Sequence, residues 1–223
     1  MLLSPARIVL LAFLAFALLL PGCLVPQQDI DYTAFRESKP RSILVIPPLN
    51  NSPDMRATYS FLSTVTMPLA EAGYYVFPVA LVDQTFRENG LQNPGEMHQA
   101  PLDKLREIFG ADATLYITVT QYGPIYQLLG SEVRVTAKAK LVDNRTGQLL
   151  WQGAATGSDS EGGNNSGGGL LGALLVAVVK QVVSNIGDQG RPVARRTSGR
   201  LFGVRPNGLL YGPRSPEYGK TEP

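Results

Sequence analysis

Two stretches of strict alternation decide what this chain can become. Thr114-Leu115-Tyr116-Ile117-Thr118-Val119-Thr120 alternates without a break and is rich in β-branched residues. Val133, Val135, Ala137, Ala139 and Leu141 alternate with Arg134, Thr136, Lys138 and Lys140. A period of two puts successive side chains on opposite faces of a strand, so the second stretch has one buried and one wet face. It runs through Asp143-Asn144-Arg145-Thr146-Gly147 into Gln148-Leu149-Leu150-Trp151-Gln152-Gly153. Asp and Asn followed by a closing Gly are the chemistry of a short turn, so a terminal antiparallel hairpin is expected.

The residues upstream alternate strands with helices. Ser42-Ile43-Leu44-Val45-Ile46, stopped by Pro47 and Pro48, is a continuous apolar run of the kind found in strands covered on both faces. A helical pattern covers 57–73 and ends at Gly73, with Pro68 predicting a kink or a break; Tyr74 to Val79 reads as a second strand. Shorter helical patterns follow from Leu81 to Asn89 and from Pro101 to Phe109, closed by Gly90 and Gly110. The expected fold is therefore α/β, a mixed sheet with helices on both faces, over 42–156.

Charge and ligand counts exclude several functions. In 223 residues, 20 Lys+Arg against 18 Asp+Glu leave a net charge of +2, too small an excess for bulk binding to a phosphate backbone. One Cys and one His rule out an internal disulfide and a Cys/His zinc site.

The single Cys is informative by position. Arg7 is followed by thirteen uninterrupted apolar residues, Ile8 to Leu20, and then by Leu20-Pro21-Gly22-Cys23. A membrane span needs about 18 to 20 apolar residues, so the run reads as the core of a secretory signal, residues 1–22. Leu20, Gly22 and Cys23 match a bacterial lipobox, with Pro21 standing where Ala, Ser, Thr or Val is usual. Cys23 is the expected lipidation site, its acyl chains (palmitate among them) holding the protein to a membrane. Leu24, rather than Asp, follows it, which by analogy with lipoprotein sorting favours the outer membrane. Residues 23–41 are polar, hold Pro26 and Pro40, and read as a tether.

Composition changes abruptly after the hairpin. Residues 157–169 hold six Gly and three Ser, the signature of a flexible loop. Gly167, Gly169 and Gly172 fit a dinucleotide fingerprint, with Asp188 near the distance of its acidic partner, but no strand leads into the glycines. Gly219-Lys220-Thr221 does not make a phosphate loop, since Arg214 stands where the pattern needs its first Gly. Leu170 to Val179 then form ten residues without a polar side chain, continued by Lys180-Gln181-Val182-Val183. Three readings stay open for this stretch of the helical segment 170–201: core packing on the sheet, a partner or oligomer surface at Leu174 and Val178, or contact with the lipid interface. As a helix it spans about 15 Å, half a hydrocarbon core, so it does not cross a bilayer alone.

Catalytic candidates are sparse. His98 sits between Pro94 and Pro101 with Glu96 nearby, a pattern expected of a solvated loop, and no Gly-x-Ser-x-Gly elbow accompanies it. Asp112 is expected to cap a turn. Residues 202–223 read as an extended tail, and the arginines 191, 195, 196, 200, 205 and 214 as solvated charge.

The segments Gly73-Tyr74-Tyr75-Val76-Phe77-Pro78-Val79, Phe109-Gly110-Ala111-Asp112-Ala113-Thr114-Leu115-Tyr116-Ile117, Leu141-Val142-Asp143 with Thr146-Gly147 and Leu150-Trp151, and Gly208-Leu209-Leu210-Tyr211-Gly212-Pro213-Arg214 resemble the bacterial lipoprotein family filed as domain of unknown function 799. The resemblance covers almost all of the chain after Cys23, and its last element is the most specific. It implies an outer-membrane lipoprotein with a fold similar to the amino-terminal domain of TolB and a role beside a curli-secretion-like lipoprotein. It brings no activity or cofactor.

The expectation is a lipid-anchored, non-enzymatic binding or assembly module in the cell envelope, its domain in the periplasm, with an envelope protein or a second copy of the chain as partner and no nucleic acid. The alternative is a periplasmic hydrolase or nucleotide-dependent enzyme with a non-standard site.

Overall fold

A computed structural model of the chain describes residues 30–127, 130–162, 188–204 and 208–220. In chain order the elements are helix α1 (Thr33–Ser38), strands β1 (Ser42–Val45) and β2 (Leu49–Asn50), helices α2 (Ala57–Leu62) and α3 (Thr66–Glu71), and strand β3 (Tyr75–Val76). Helices α4 (Val79–Glu88), α5 (Pro94–Met97) and α6 (Leu102–Phe109) follow. Strands β4 (Ala113–Gln127), β5 (Gly130–Asp143) and β6 (Leu149–Ser158) lead to a 3-10 turn at Ser160–Gly162, and helix α7 (Gly190–Phe202) comes after.

The six strands form one mixed sheet in the order β3-β1-β4-β5-β6, with β2 also pairing β4. β1 lies parallel to both β3 and β4, whereas β4, β5 and β6 are antiparallel. The continuous apolar run of β1 is explained by its place in the middle. Ile43 and Val45 point into the core shared with α2, α3 and α7, and Leu44 and Ile46 into a second core with Val82, Phe86, Met97 and Leu105 of α4, α5 and α6. The mixed α/β sheet with helices on both faces is thus the observed architecture. The second helical layer is partial, since Lys138, Lys140 and Gln152 on the same face of β5 and β6 are exposed.

Several boundaries differ from the sequence expectation. The helix over 57–73 is two helices separated by Ser63–Val65, and Pro68 falls in the first turn of α3, where its missing N–H has no intrahelical partner to lose. The strand expected over Tyr74 to Val79 is only Tyr75–Val76, because Pro78 starts α4. β6 runs into the glycine-rich stretch as far as Ser158.

The hairpin turn after β5 is fastened to its surroundings. Asp143 Oδ1 accepts from the N–H groups of Arg145 and Thr146 at 2.7 and 2.8 Å, and Ser38 Oγ donates to Oδ2 at 2.5 Å. Burial alone would raise this carboxyl, but the bonds from Ser38, Thr146 and Arg145 outweigh it and hold it below the ordinary carboxylate range. Asn144 Nδ2 donates to Ala111 O and its Oδ1 accepts from Thr114 Oγ1, so the turn is tied to the entry of β4.

The last described residues are not an extended tail. Gly212 N–H donates to Ala72 O at 2.7 Å and Arg214 N–H to Gly73 O at 3.0 Å, while Tyr32 and Tyr74 donate to the carbonyls of Gly208 and Leu210. The Arg214 guanidinium lies 5.2 Å from the Tyr75 ring centroid. Leu209 is fully buried. The segment that ends the family resemblance is therefore a strap, and two glycines allow it to close. Gly73 has φ +97°, and a Cβ there would stand 2.5 Å from Ser215 N, while a Cβ on Gly212 would stand 2.6 Å from Gly73 O. Gly73→Ala is expected to lower stability by about 1–3 kcal/mol through overpacking, read by urea unfolding, and to hasten tryptic cleavage after Arg214. An unchanged midpoint and unchanged cleavage rate would show that the strap does not depend on this contact.

Candidate partner interface

Cys23, Leu174 and Val178, and the glycines at 167, 169 and 172, lie outside the described residues. What is described is the pair of clamps from which the chain leaves at Gly162 and to which it returns at Asp188. On the outgoing side, Ser158 Oγ and Ser160 Oγ both donate to Glu132 Oε2, at 2.8 and 3.0 Å, and Val133 N–H donates to Asp159 Oδ1 at 2.9 Å. Hydrogen bonds from both serines draw the Glu132 carboxyl below its ordinary range. Glu161 forms an ion pair with Arg200 of α7.

On the returning side, the Tyr122 hydroxyl of β4 lies 2.8 Å from both oxygens of Asp188 and 2.5 Å from Ser60 Oγ of α2. Ser60 also donates to Asp188, and Gly190 N–H donates to its Oδ1 at 3.1 Å. Burial pushes the Tyr122 phenol well up, so the hydroxyl stays protonated and donating. Gly190 is packed on this phenol, where a Cβ would stand 2.2 Å from Tyr122 Cε1. Asp188 thus seats the start of α7 rather than serving a nucleotide ribose. The sequence carries no local signal for this trio, whose members are 62 and 66 residues apart.

Once seated, α7 covers the β4-β5-β6 face through Val193, Ala194, Leu201 and Phe202, all buried. Its arginines are exposed, as expected of solvated charge, but two of them also bond the sheet. Arg196 and Arg200 donate to the carbonyls of Ser158 and Thr156, each at 3.0 Å. β6 is an edge strand, and guanidinium groups on its carbonyls blunt it against pairing with another chain.

The other candidates resolve into structure. His98 is half-buried at the end of α5, not in a solvated loop, with Nε2 3.0 Å from Pro47 O and its ring edge-on to Tyr116 at 5.4 Å. Glu96 is turned away, its carboxylate accepting from Gln92 N–H while Asn93 caps the helix. Asp112 Oδ2 accepts from Arg41 N–H, Ser42 N–H and Ser42 Oγ, so it pins the start of β1 to β4. Among the described residues no three His, Cys, Asp or Glu side chains are grouped to hold a metal ion, and no helix is long and apolar enough to cross a membrane.

A protein-family model described as "Putative lipoprotein GNA1162-like" matches residues 30–214 of this chain. A protein of Neisseria meningitidis serogroup B, "Putative lipoprotein NMB1124/NMB1162", is 52% identical over 203 residues, which cover 90% of this chain and 94% of the relative. The crystal structure of lipoprotein GNA1162 from Neisseria meningitidis is similar with a TM-score of 0.52 and 53% identity, over 65% of this chain and 99% of that one.

The surroundings of His98 set a pH dependence. Burial depresses its pKa, the bond to Pro47 O opposes this, and Lys140 adds to the depression. The neutral ring therefore stabilises the fold above the free-histidine value of about 6.5, and that contribution is lost as pH falls through the depressed folded value. Because the chain has one His, a single imidazole NMR resonance is expected, titrating below about 6.5, and His98→Gln is expected to flatten the stability slope in the same window. A midpoint at or above the free value would contradict the buried placement.

Proposed function

Because this chain belongs to the GNA1162-like lipoprotein family, we propose that it is a lipid-anchored, non-enzymatic binding or assembly module. Cys23 carries the lipid, the outer membrane holds it, the folded domain faces the periplasm, and residues around Leu174 and Val178 contact an envelope protein. A curli-secretion-like lipoprotein is the partner we favour, and the likeness to the amino-terminal domain of TolB belongs to this proposal.

One observation carries this reading: the anchor side and the clamped segment leave from opposite ends of the long strands. Ala113, at the start of β4, pairs with Ile43 and Asp143, beside α1 and the turn that Ser38 holds. Tyr122, which holds Asp188, lies nine residues further along β4. At about 3.3 Å per residue this places the clamps roughly 30 Å from the end of the sheet where α1 finishes. The described residues that flank 163–187 therefore sit far from the end of the sheet that α1 joins. That supports a protein partner over contact with the bilayer at the anchor, while Ser60, Tyr122 and Asp188 spend their hydrogen bonds on one another and on Gly190, which supports a non-enzymatic role.

Crosslinking in intact envelopes, followed by mass spectrometry, is expected to capture one envelope protein through this segment. Leu174→Asp and Val178→Asp are expected to abolish the capture while leaving the unfolding midpoint unchanged, and His98→Ala and Asp112→Ala are expected to preserve it. Loss of function with the second pair alone would favour catalysis, and a product of twice the chain mass would identify a second copy as the partner. Labelling with radioactive fatty acid is expected to mark the native chain and not Cys23→Ala, and equal labelling would overturn the anchor.

A further inference from the structure

The strap and helix α1 enclose a cavity of about 300 Å³. Its walls include Phe35, Tyr74, Tyr211 and Tyr218, with the cations Arg36 and Lys39. Tyr74 is turned into the wall, its hydroxyl donating to Leu210 O at 2.6 Å, and Phe35 is buried beneath. Among the described residues, neither Arg36 nor Lys39 forms an ion pair, and the one lining carboxylate, Glu217, faces Lys220 Nζ at 3.6 Å. Lys39 has φ 48°, a left-handed conformation unusual for a side chain of this size, and its N–H closes α1 on Phe35 O. This left-handed cap ends α1 and leaves the lysine on the cavity wall.

Two cations that form no ion pair among the described residues, over an apolar and phenolic floor, match a phosphate carried on a glycerol backbone rather than a free ion. Phosphate takes charge-assisted bonds from guanidinium and ammonium. Tyrosines with one apolar and one wet end are suited to the headgroup level of a bilayer. The position fits as well. Ile30, the first described residue, is seven residues from Cys23, so at about 3.5 Å per residue the entry to α1, whose last turn lines the cavity, is within roughly 25 Å of a lipidated residue 23.

We propose that this cavity binds the headgroup phosphate of an anionic glycerophospholipid, with Arg36 and Lys39 holding the phosphate and Tyr211 and Tyr218 flanking the glycerol. The proposal deepens the reading above and relies on it only for delivery of the cavity to the bilayer. Bound there, the lipid would fix how the domain stands on its tether, which an acyl anchor on a polar linker alone does not.

The test is native mass spectrometry of the full chain, released from neutral detergent after exposure to equimolar phosphatidylglycerol and phosphatidylcholine. One retained phosphatidylglycerol is expected, with phosphatidylcholine retained about tenfold less. Arg36→Gln with Lys39→Gln is expected to lower retention about tenfold, and Arg36→Lys with Lys39→Arg to restore it in part. The unfolding midpoint of each variant separates loss of binding from loss of fold. Equal retention of the two lipids, unchanged retention in the glutamine variant, or displacement of the lipid by inorganic phosphate alone would overturn the proposal, the last result marking a site for free anions. The same spectra report the mass at residue 23. A chain without acyl groups that still retains phosphatidylglycerol would therefore sink the anchor and leave the cavity standing.

Discussion

The structure depends on covering one face of a three-stranded antiparallel sheet with a helix that arrives late in the chain. Val133, Val135, Ala137, Ala139 and Leu141 of β5 form a buried stripe that the neighbouring strands cannot hide. Among the described residues α7 reaches across it, and it comes close because the residues beneath are small. A Cβ on Gly157 would stand 2.6 Å from Thr197 Oγ1 and 3.4 Å from Val193 O, so glycine is what lets helix and strand approach. Burying a polar hydroxyl under such a helix costs stability unless it is bonded. Thr197 donates within the helix to Val193 O and Ser198 to Thr64 O, so both are satisfied. The rest of the fold serves this contact. The Asp188 trio seats the start of α7, the Phe202 ring meets Trp151 at its end, and Arg196 and Arg200 bind it laterally to the edge strand.

Much of this was legible because the period of hydrophobicity depends on local exposure alone. The half-wet alternation of β5 and the doubly apolar run of β1 correctly distinguished a strand with one open face from one between two helical layers. Turn chemistry at Asp143 to Gly147 was equally local. The remainder was hidden for a common physical reason: it is made by contacts between distant residues. Pro68 reads as a kink or break because nothing near it shows that a helix begins two residues earlier. The strap looked like a solvated tail because Gly, Pro and Arg suit either state, and only the turn at Gly73, more than 130 residues away, offers it carbonyls. His98 looked exposed between prolines, since its acceptor on Pro47 and its ring partner Tyr116 are both remote. The cavity by Arg36 and Lys39 was invisible for the same reason, being enclosed by the first and last described parts of the chain.

That closure gives the molecule two dissimilar ends. At one, the tether enters α1, the strap returns beside it, and unpaired cations line a cavity. At the other, two clamps built from Glu132 with two serines and from Asp188 with Tyr122 and Ser60 grip the chain on both sides of the stretch that holds the apolar run Leu170 to Val179. An antiparallel hairpin as long as β4 and β5 is a stiff spacer, because each strand is braced by the next and by α7. A flexible spacer would let the apolar stretch fold back to the membrane that holds the anchor, where burial in lipid would compete with any protein surface. A rigid one about 30 Å long makes that return costly, and on our proposal the anchor sets where the domain stands while the far clamps set what it can meet.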